Sequence, residues 1–183
     1  MKNVCSFFIF LLCSSAMAQI SLSSAKRDTF LLAVREIMTF HHYCGLVTVD
    51  SLGNPHARTI TPFPPDSAMH VWFATNRKSR KITEMQKNPH VCLYYGIHDT
   101  AVGSVAINGK ARIVDDKKLL KMKKRDYWEA IPDWENIMVL VEIIPERIEL
   151  IHYRFGFFND PVTWEAPFLI LDSSISKNAL IKR

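Results

Sequence analysis

In Val71-Trp72-Phe73-Ala74-Thr75-Asn76-Arg77-Lys78-Ser79-Arg80-Lys81 an apolar, strand-like run gives way to a polar turn and then to a segment with helical spacing. The first turn of a helix presents amide N–H groups without intrahelical partners and carries partial positive charge. Ser79, Arg80 and Lys81 add a hydroxyl and two cations at that point, the equipment for holding a dianionic phosphomonoester. Arg58, on an earlier strand-like run, could approach the same phosphate from a neighbouring ladder position. The same composition also suits a solvated basic turn, so spacing alone leaves both readings open.

Other chemistries find less support. Seven histidines are present, yet the densest group, His41-His42-Tyr43-Cys44, places adjacent side chains on opposite faces of a strand. With no Cys-x-x-Cys and no His-Glu-x-x-His, a metal site is not expected. Gly-x-Ser-x-Gly and Gly-x-Gly-x-x-Gly are missing too, which removes the commonest hydrolase and dinucleotide-fold readings.

The elements that must position the phosphate turn follow from periodicity. Ser24 to Phe40 is an amphipathic helix with Phe30, Leu31, Val34, Ile37 and Met38 on one face. Gly45 to Asp50 and His56 to Thr61 flank the turn Ser51-Leu52-Gly53-Asn54-Pro55 and form a hairpin. After the loop of Pro62, Pro64 and Pro65, His70 to Thr75 is a strand, Ser79 to Asn88 a short helix stopped by Pro89, and Val91 to Ile97 and Val102 to Val114 are strands. Asp115 to Trp128 is expected as one basic helix. Met138 to Ile144 and Arg147 to Tyr153 are expected as two strands around Pro145. Short connections between most strands argue for a mainly β (α+β) fold, an antiparallel barrel with helices outside it.

At the amino terminus Lys2, the apolar stretch from Phe7 to Leu12 and Ala16-Met17-Ala18 read as a secretory signal peptide over residues 1–18, leaving residues 19–183 as a single domain. The mature chain is then exported, to a periplasm-like space, without an integral membrane segment. Bulky Leu12 argues against lipid anchoring at Cys13. Of four cysteines, Cys44 and Cys92 remain after cleavage, and their apolar surroundings favour two buried thiols over a bridge. The net charge of +5 suits an anionic partner, and nucleic acid is a poor one for an exported chain.

Arg58-Thr59-Ile60-Thr61, then Phe73-Ala74-Thr75-Asn76 with Ser79-Arg80-Lys81, then Asn88-Pro89-His90-Val91 occur in an order that resembles the pyridoxamine 5′-phosphate oxidase-like flavoproteins. The resemblance covers about Phe30 to Tyr153, and the branch of small general stress proteins looks nearest. It implies an antiparallel split β-barrel with peripheral helices, binding flavin mononucleotide (FMN) between the subunits of a homodimer. Carried over residue by residue, Arg58, Thr59, Ile60 and Thr61 run along the flavin ring, Ala74 and Thr75 contact ring and ribityl chain, and Ser79, Arg80 and Lys81 grip the phosphate. Counting back from Gly109-Lys110-Ala111 places Ser104 against the flavin. The aromatic residues Trp128, Trp134, Phe155, Phe157, Phe158 and Trp164 are candidates for cleft walls or the dimer seam, with core packing as the alternative.

Departures from the pattern bear on the substrate. Where the oxidases carry a lysine for the vitamin phosphate, this chain has Pro62-Phe63. Met122, Lys124 and Asp126 do not replace the Tyr, Arg and Ser group that follows. The resemblance thus implies an FMN-dependent oxidoreductase for an unknown small molecule, not pyridoxamine phosphate. Its alternatives are a non-catalytic flavin- or haem-binding store of the same fold, and an exported interaction module that has lost its ligand.

Overall fold

The computed structural model describes residues 24–96 and 103–171, so the proposed signal peptide lies outside the described residues. Helix α1 (Ser24–Phe40) precedes the hairpin β1 (Cys44–Val49) and β2 (Pro55–Ile60), then β3 (Val71–Asn76), α2 (Arg80–Lys87), β4 (His90–Gly96) and β5 (Gly103–Val114). A covering segment of α3 (Lys117–Met122), a 3₁₀ turn (Asp126–Ala130) and α4 (Trp134–Ile137) leads into β6 (Met138–His152), and β7 (Phe168–Ile170) closes the order. The strands form one antiparallel sheet, β2-β1-β4-β5-β6-β3, with β7 on the far half of β6.

This sheet curls into a split barrel. Alternating residues point inward, among them Leu46, Val71, Phe73, Leu93, Val105, Ile107, Val141 and Ile148, and α1 adds Phe30, Ala33, Val34 and Ile37 to the same core. Each of these side chains except Ala33, fully buried, contributes about 1.5–3 kcal/mol of transfer free energy. The outward residues of β3 and of the first half of β6 are covered as well. Trp72, Ala74, Met138 and Leu140 pack with Leu120, Trp128 and Trp134 in a second cluster beneath the segment α3 to α4. That double cover is why every residue from Met138 to Ile143 is buried.

Two expectations need correction. Asp115 to Trp128 is not one helix: α3 ends at Met122 and the chain turns before the 3₁₀ turn begins at Asp126. Lys117, Lys118, Lys121, Lys123, Lys124 and Arg125 crowd like charge along one helical segment. Breaking there lets Arg125 donate to the Thr61 and Pro62 carbonyls and lets Trp128 enter the second cluster at 1% exposure. Nor do two strands flank Pro145: β6 runs through it. The ladder register slips there, with Asn108 opposite Arg147 and Gly109 opposite Pro145, so Glu146 is the extra residue of a bulge. Proline's missing N–H fits at a bulge. Gly109 is required opposite, since a Cβ there would lie 2.2 Å from the Ile144 carbonyl oxygen.

The three-residue β7 was not foreseen, being too short to show periodicity. Cys44 and Cys92 are free: Cys44 faces the core, where burial pushes its thiol up to about 12, and Cys92 sits on the other face of the sheet.

Candidate functional site

The split in the barrel falls between the edge strands β2 and β3, which are not paired with each other. Just past β2 the chain crosses to β3, where the Phe63 amide donates to the Trp72 carbonyl at 2.7 Å. Beyond that single link the edges diverge and leave a pocket of about 210 Å³, lined by Thr59, Ile60, Thr61, Ala74, Thr75, Lys81, Arg125, Tyr127 and Trp128. Seven of these nine were named from sequence, Trp128 among the aromatic candidates, although positions 59–61 and 74–81 lie thirteen to twenty-two residues apart along the chain. The fold brings the groups together because the β2 end, the β3 end and the first turn of α2 meet at one corner of the split.

At that corner Lys81 is the central cation. Its ammonium donates to Thr75 Oγ1 at 2.9 Å, and the Ser79 hydroxyl lies 3.5 Å from the same oxygen. Burial first, and then the neighbouring Arg58 charge, lower the Lys81 pKa, with Glu84 acting in the opposite sense. Among the described residues no carboxylate makes an ion pair with Lys81. A half-buried ammonium with only a hydroxyl for company is relieved by an arriving anion. Ser79 caps α2 in extended backbone conformation, and its own amide is occupied by the Asn76 carbonyl. The helix begins at Arg80, so the Arg80 and Lys81 amides have no intrahelical partner, while the Ile82 amide donates to the Ser79 carbonyl at 2.9 Å.

Arg58 and Arg80 stand differently. Both are engaged by Glu84, a carboxylate on α2 that is 4% exposed: Arg58 Nη2 donates to Oε2 at 2.9 Å, and Arg80 Nε lies 3.0 Å from Oε1. Thr48 joins them, donating to Glu84 and accepting from Arg58. Neither guanidinium lines the pocket in this arrangement; both are turned to Glu84. Ser104 is not brought to the pocket at all. It pairs with Gly96 and Ile151 at one end of β5, whereas the pocket's ladder, through Ala74 and Leu140, meets β5 at Val114 at the other end.

Arg125 and Tyr127 were not identified as site residues. Arg125 lay inside a run of lysines and arginines that sequence could not divide, and its place follows from the break after α3. The aromatic candidates divide. Trp128 lines the pocket, and its buried indole N–H has no partner among the described residues. Trp134 packs against it at 5.6 Å, Phe157 and Phe155 belong to the main core, and Phe158 and Trp164 are exposed.

The residues at this corner fit the phosphate end of a flavin nucleotide: an ammonium without an ion pair, two hydroxyls, a helix start and a second cation, Arg125. The volume is smaller than the about 300–1,000 Å³ of ordinary small-molecule clefts. It would suit a phosphate and a short polar chain attached to it.

Comparison with known proteins agrees with this fold. The general stress protein 26 of Bacillus anthracis is 22% identical, with 75% of this chain and 98% of that one covered and a TM-score of 0.56. A Clostridium acetobutylicum protein related to general stress protein 26 is 17% identical over 79% and 96% of the two chains, with a TM-score of 0.64. An FMN-binding protein of Nostoc punctiforme, related to pyridoxamine 5′-phosphate oxidase, is 16% identical over 83% and 98%, with a TM-score of 0.54. At such identities these likenesses speak to the fold alone. No curated protein sequence is similar enough to match. The sequence profile of pyridoxamine 5′-phosphate oxidase matches residues 31–152, which contain the phosphate corner and every strand but β7, and the chain therefore belongs to the pyridoxamine 5′-phosphate oxidase family.

Proposed function

We propose that this chain binds FMN at the split and serves as an oxidoreductase for a small molecule other than pyridoxamine phosphate. One observation carries the reading: Lys81, half-buried and without an ion pair, stands at the helix start in a pocket whose walls are the two segments that family resemblance assigns to flavin. FMN supplies the redox chemistry through its isoalloxazine ring; the chain supplies position and charge. Lys81, Thr75, Ser79 and the first amides of α2 hold the phosphate, with Arg80 turned to Glu84. The edge strand Arg58 to Thr61 lies beside the ring, where backbone N–H groups favour negative charge. Trp128, almost fully buried, supplies an apolar wall. The residues that replace the vitamin-binding group have other work: Phe63 is stacked under Arg125 at 4.4 Å, Met122 is exposed, and Lys124 bonds Glu129.

A homodimer completes this proposal. The pocket holds only part of the cofactor, and Thr59 and Ser104 both point outward from the sheet, so a second copy packed on that face would close the ring site and bring its own Ser104 near. Export belongs to the proposal as well, and a mature amino terminus at Gln19, read by mass spectrometry, tests it.

Titration of the purified protein with FMN, followed by quenching of flavin fluorescence, is the direct test. Saturable binding is expected, and a sample whose spectrum is unchanged by excess cofactor would end the flavin reading. Turnover is separated from storage by reducing the bound flavin and asking whether any acceptor reoxidises it faster than it does free flavin. No acceleration would leave a binder.

A further inference from the structure

Glu84 is a fully buried acid beside the pocket, and it ties α2 to the hairpin β1–β2 behind the phosphate corner. It stands on α2 one turn after Arg80 and Lys81 and reaches across to β1 through Thr48 and to β2 through Arg58. His56 Nε2 lies 3.8 Å from its Oε1 and 3.2 Å from Asp50 Oδ2, so the carboxylate faces Arg58, Arg80, His56 and Thr48, with Asp50 behind the imidazole. Burial alone would raise its pKa, but the Thr48 hydrogen bond and the Arg58 charge outweigh burial and hold it ionised. A buried charge of this kind gains little net stability over an apolar replacement. What it does provide is geometry, because α2 and β2 make no ladder with each other and this carboxylate is tied to both.

Resting on the flavin reading above, we propose that Glu84 is the positioning residue of the phosphate corner: it holds Arg58 and Arg80 and sets the separation between β2 and the first turn of α2 to which the ligand phosphate is fitted. Arg58 then acts through Glu84 and not on the phosphate. Simple charge counting makes the opposite forecast, since deleting a negative charge beside three cations should tighten binding of a dianion.

The experiment compares FMN with riboflavin, which lacks the phosphate, in the full protein and its variants, by fluorescence titration. Glu84→Gln is expected to weaken FMN about tenfold, within the range of a charge-assisted hydrogen bond, and to leave riboflavin nearly unchanged. Arg58→Gln should reproduce that selective loss. The double variant should show no further loss, because both changes break one strut. Should Glu84→Gln fail to fold, the double variant, balanced in charge, makes the same comparison. Equal losses for FMN and riboflavin, unchanged or tighter FMN binding by Glu84→Gln, or additive losses in the double variant would each overturn the inference. Wild-type protein that binds no FMN would remove the pocket reading itself, whereas normal wild-type binding with an unselective Glu84→Gln overturns this proposal alone.

Discussion

Glu84 and Glu142 are both carboxylates with 4% exposure, and each is held by arginine with a histidine close by. Their settings differ. Glu142 lies in the first half of β6, and its partners come from the strands to either side: His70 Nδ1, just before β3, at 2.9 Å, and Arg112 Nε on β5 at 2.7 Å. Those strands are already aligned by ladder hydrogen bonds, so the charges add stability to a spacing fixed by the backbone. Glu84 joins α2 to β1 and β2 without any such ladder, and there the side chain itself determines the spacing. Similar ion-pair chemistry thus secures the sheet in one place and shapes a ligand site in the other.

Removing the carboxylates is the largest perturbation of that contrast. Glu84→Ala should destabilise the protein by about 3 kcal/mol, as expected when one member of a buried ion pair is deleted. Glu142→Ala should lose less, about 2 kcal/mol, because Arg112 is more than half exposed and rehydrates. Chemical denaturation measures both, and only the Glu84 variant should also alter the preference for FMN over riboflavin. A Glu142 variant that altered it equally would erase the distinction.

Lys81→Met comes next. Loss of the corner ammonium should weaken FMN by about tenfold to a hundredfold, with riboflavin much less affected and thermal stability little changed, since the half-buried ammonium makes no ion pair among the described residues and its burial cost offsets the Glu84 attraction. Equal weakening of the two flavins would show that Lys81 does not meet the phosphate.

The smallest effect is in pH. The hydrogen bond to Glu142 holds the His70 pKa above its ordinary 6.5 despite partial burial. Its contribution to stability is therefore complete below pH 6.5 and is lost as pH rises through the raised value. For Glu142, bonds from His70 and Arg112 outweigh burial and keep the pKa below 4.5, so its contribution is complete above 4.5 and is lost as pH falls through the lowered value. The difference in Tm between wild type and His70→Gln should shrink between about pH 6 and about pH 8. A gap that stayed constant over that range would mean that His70 is held by packing and not by its charge.

Much of this molecule was legible in the chain. Alternating and helical periodicities marked α1, α2 and β1 to β5, because each has one face against the core and period reports a buried face directly. Ser79, Arg80 and Lys81 were likewise visible as candidate site residues, since a strand running through a polar turn into a helix is a local pattern, whereas 59–61 and 74–75 entered through the family resemblance. Local pattern failed where a feature depended on partners distant in sequence. Pro145 looked like a strand break because the bulge that accommodates it is completed by Gly109. The basic run from Lys117 to Arg125 looked like continuous helix because the carbonyls that draw Arg125 away belong to Thr61 and Pro62.

Sequence by itself determined which residues could hold a phosphate; the tertiary structure decided which of them face the pocket. Ser79, Arg80 and Lys81 are equivalent to a reader of residue types, but Arg80 is turned to Glu84 while Lys81 points to Thr75. That choice rests on a buried carboxylate four residues along α2 and on Arg58 and Thr48 across the sheet, and no one-dimensional pattern records which charge lies nearest to which in space. Ser104 makes the same point in reverse, since its place in a motif says nothing of the length of β5 that separates it from the corner.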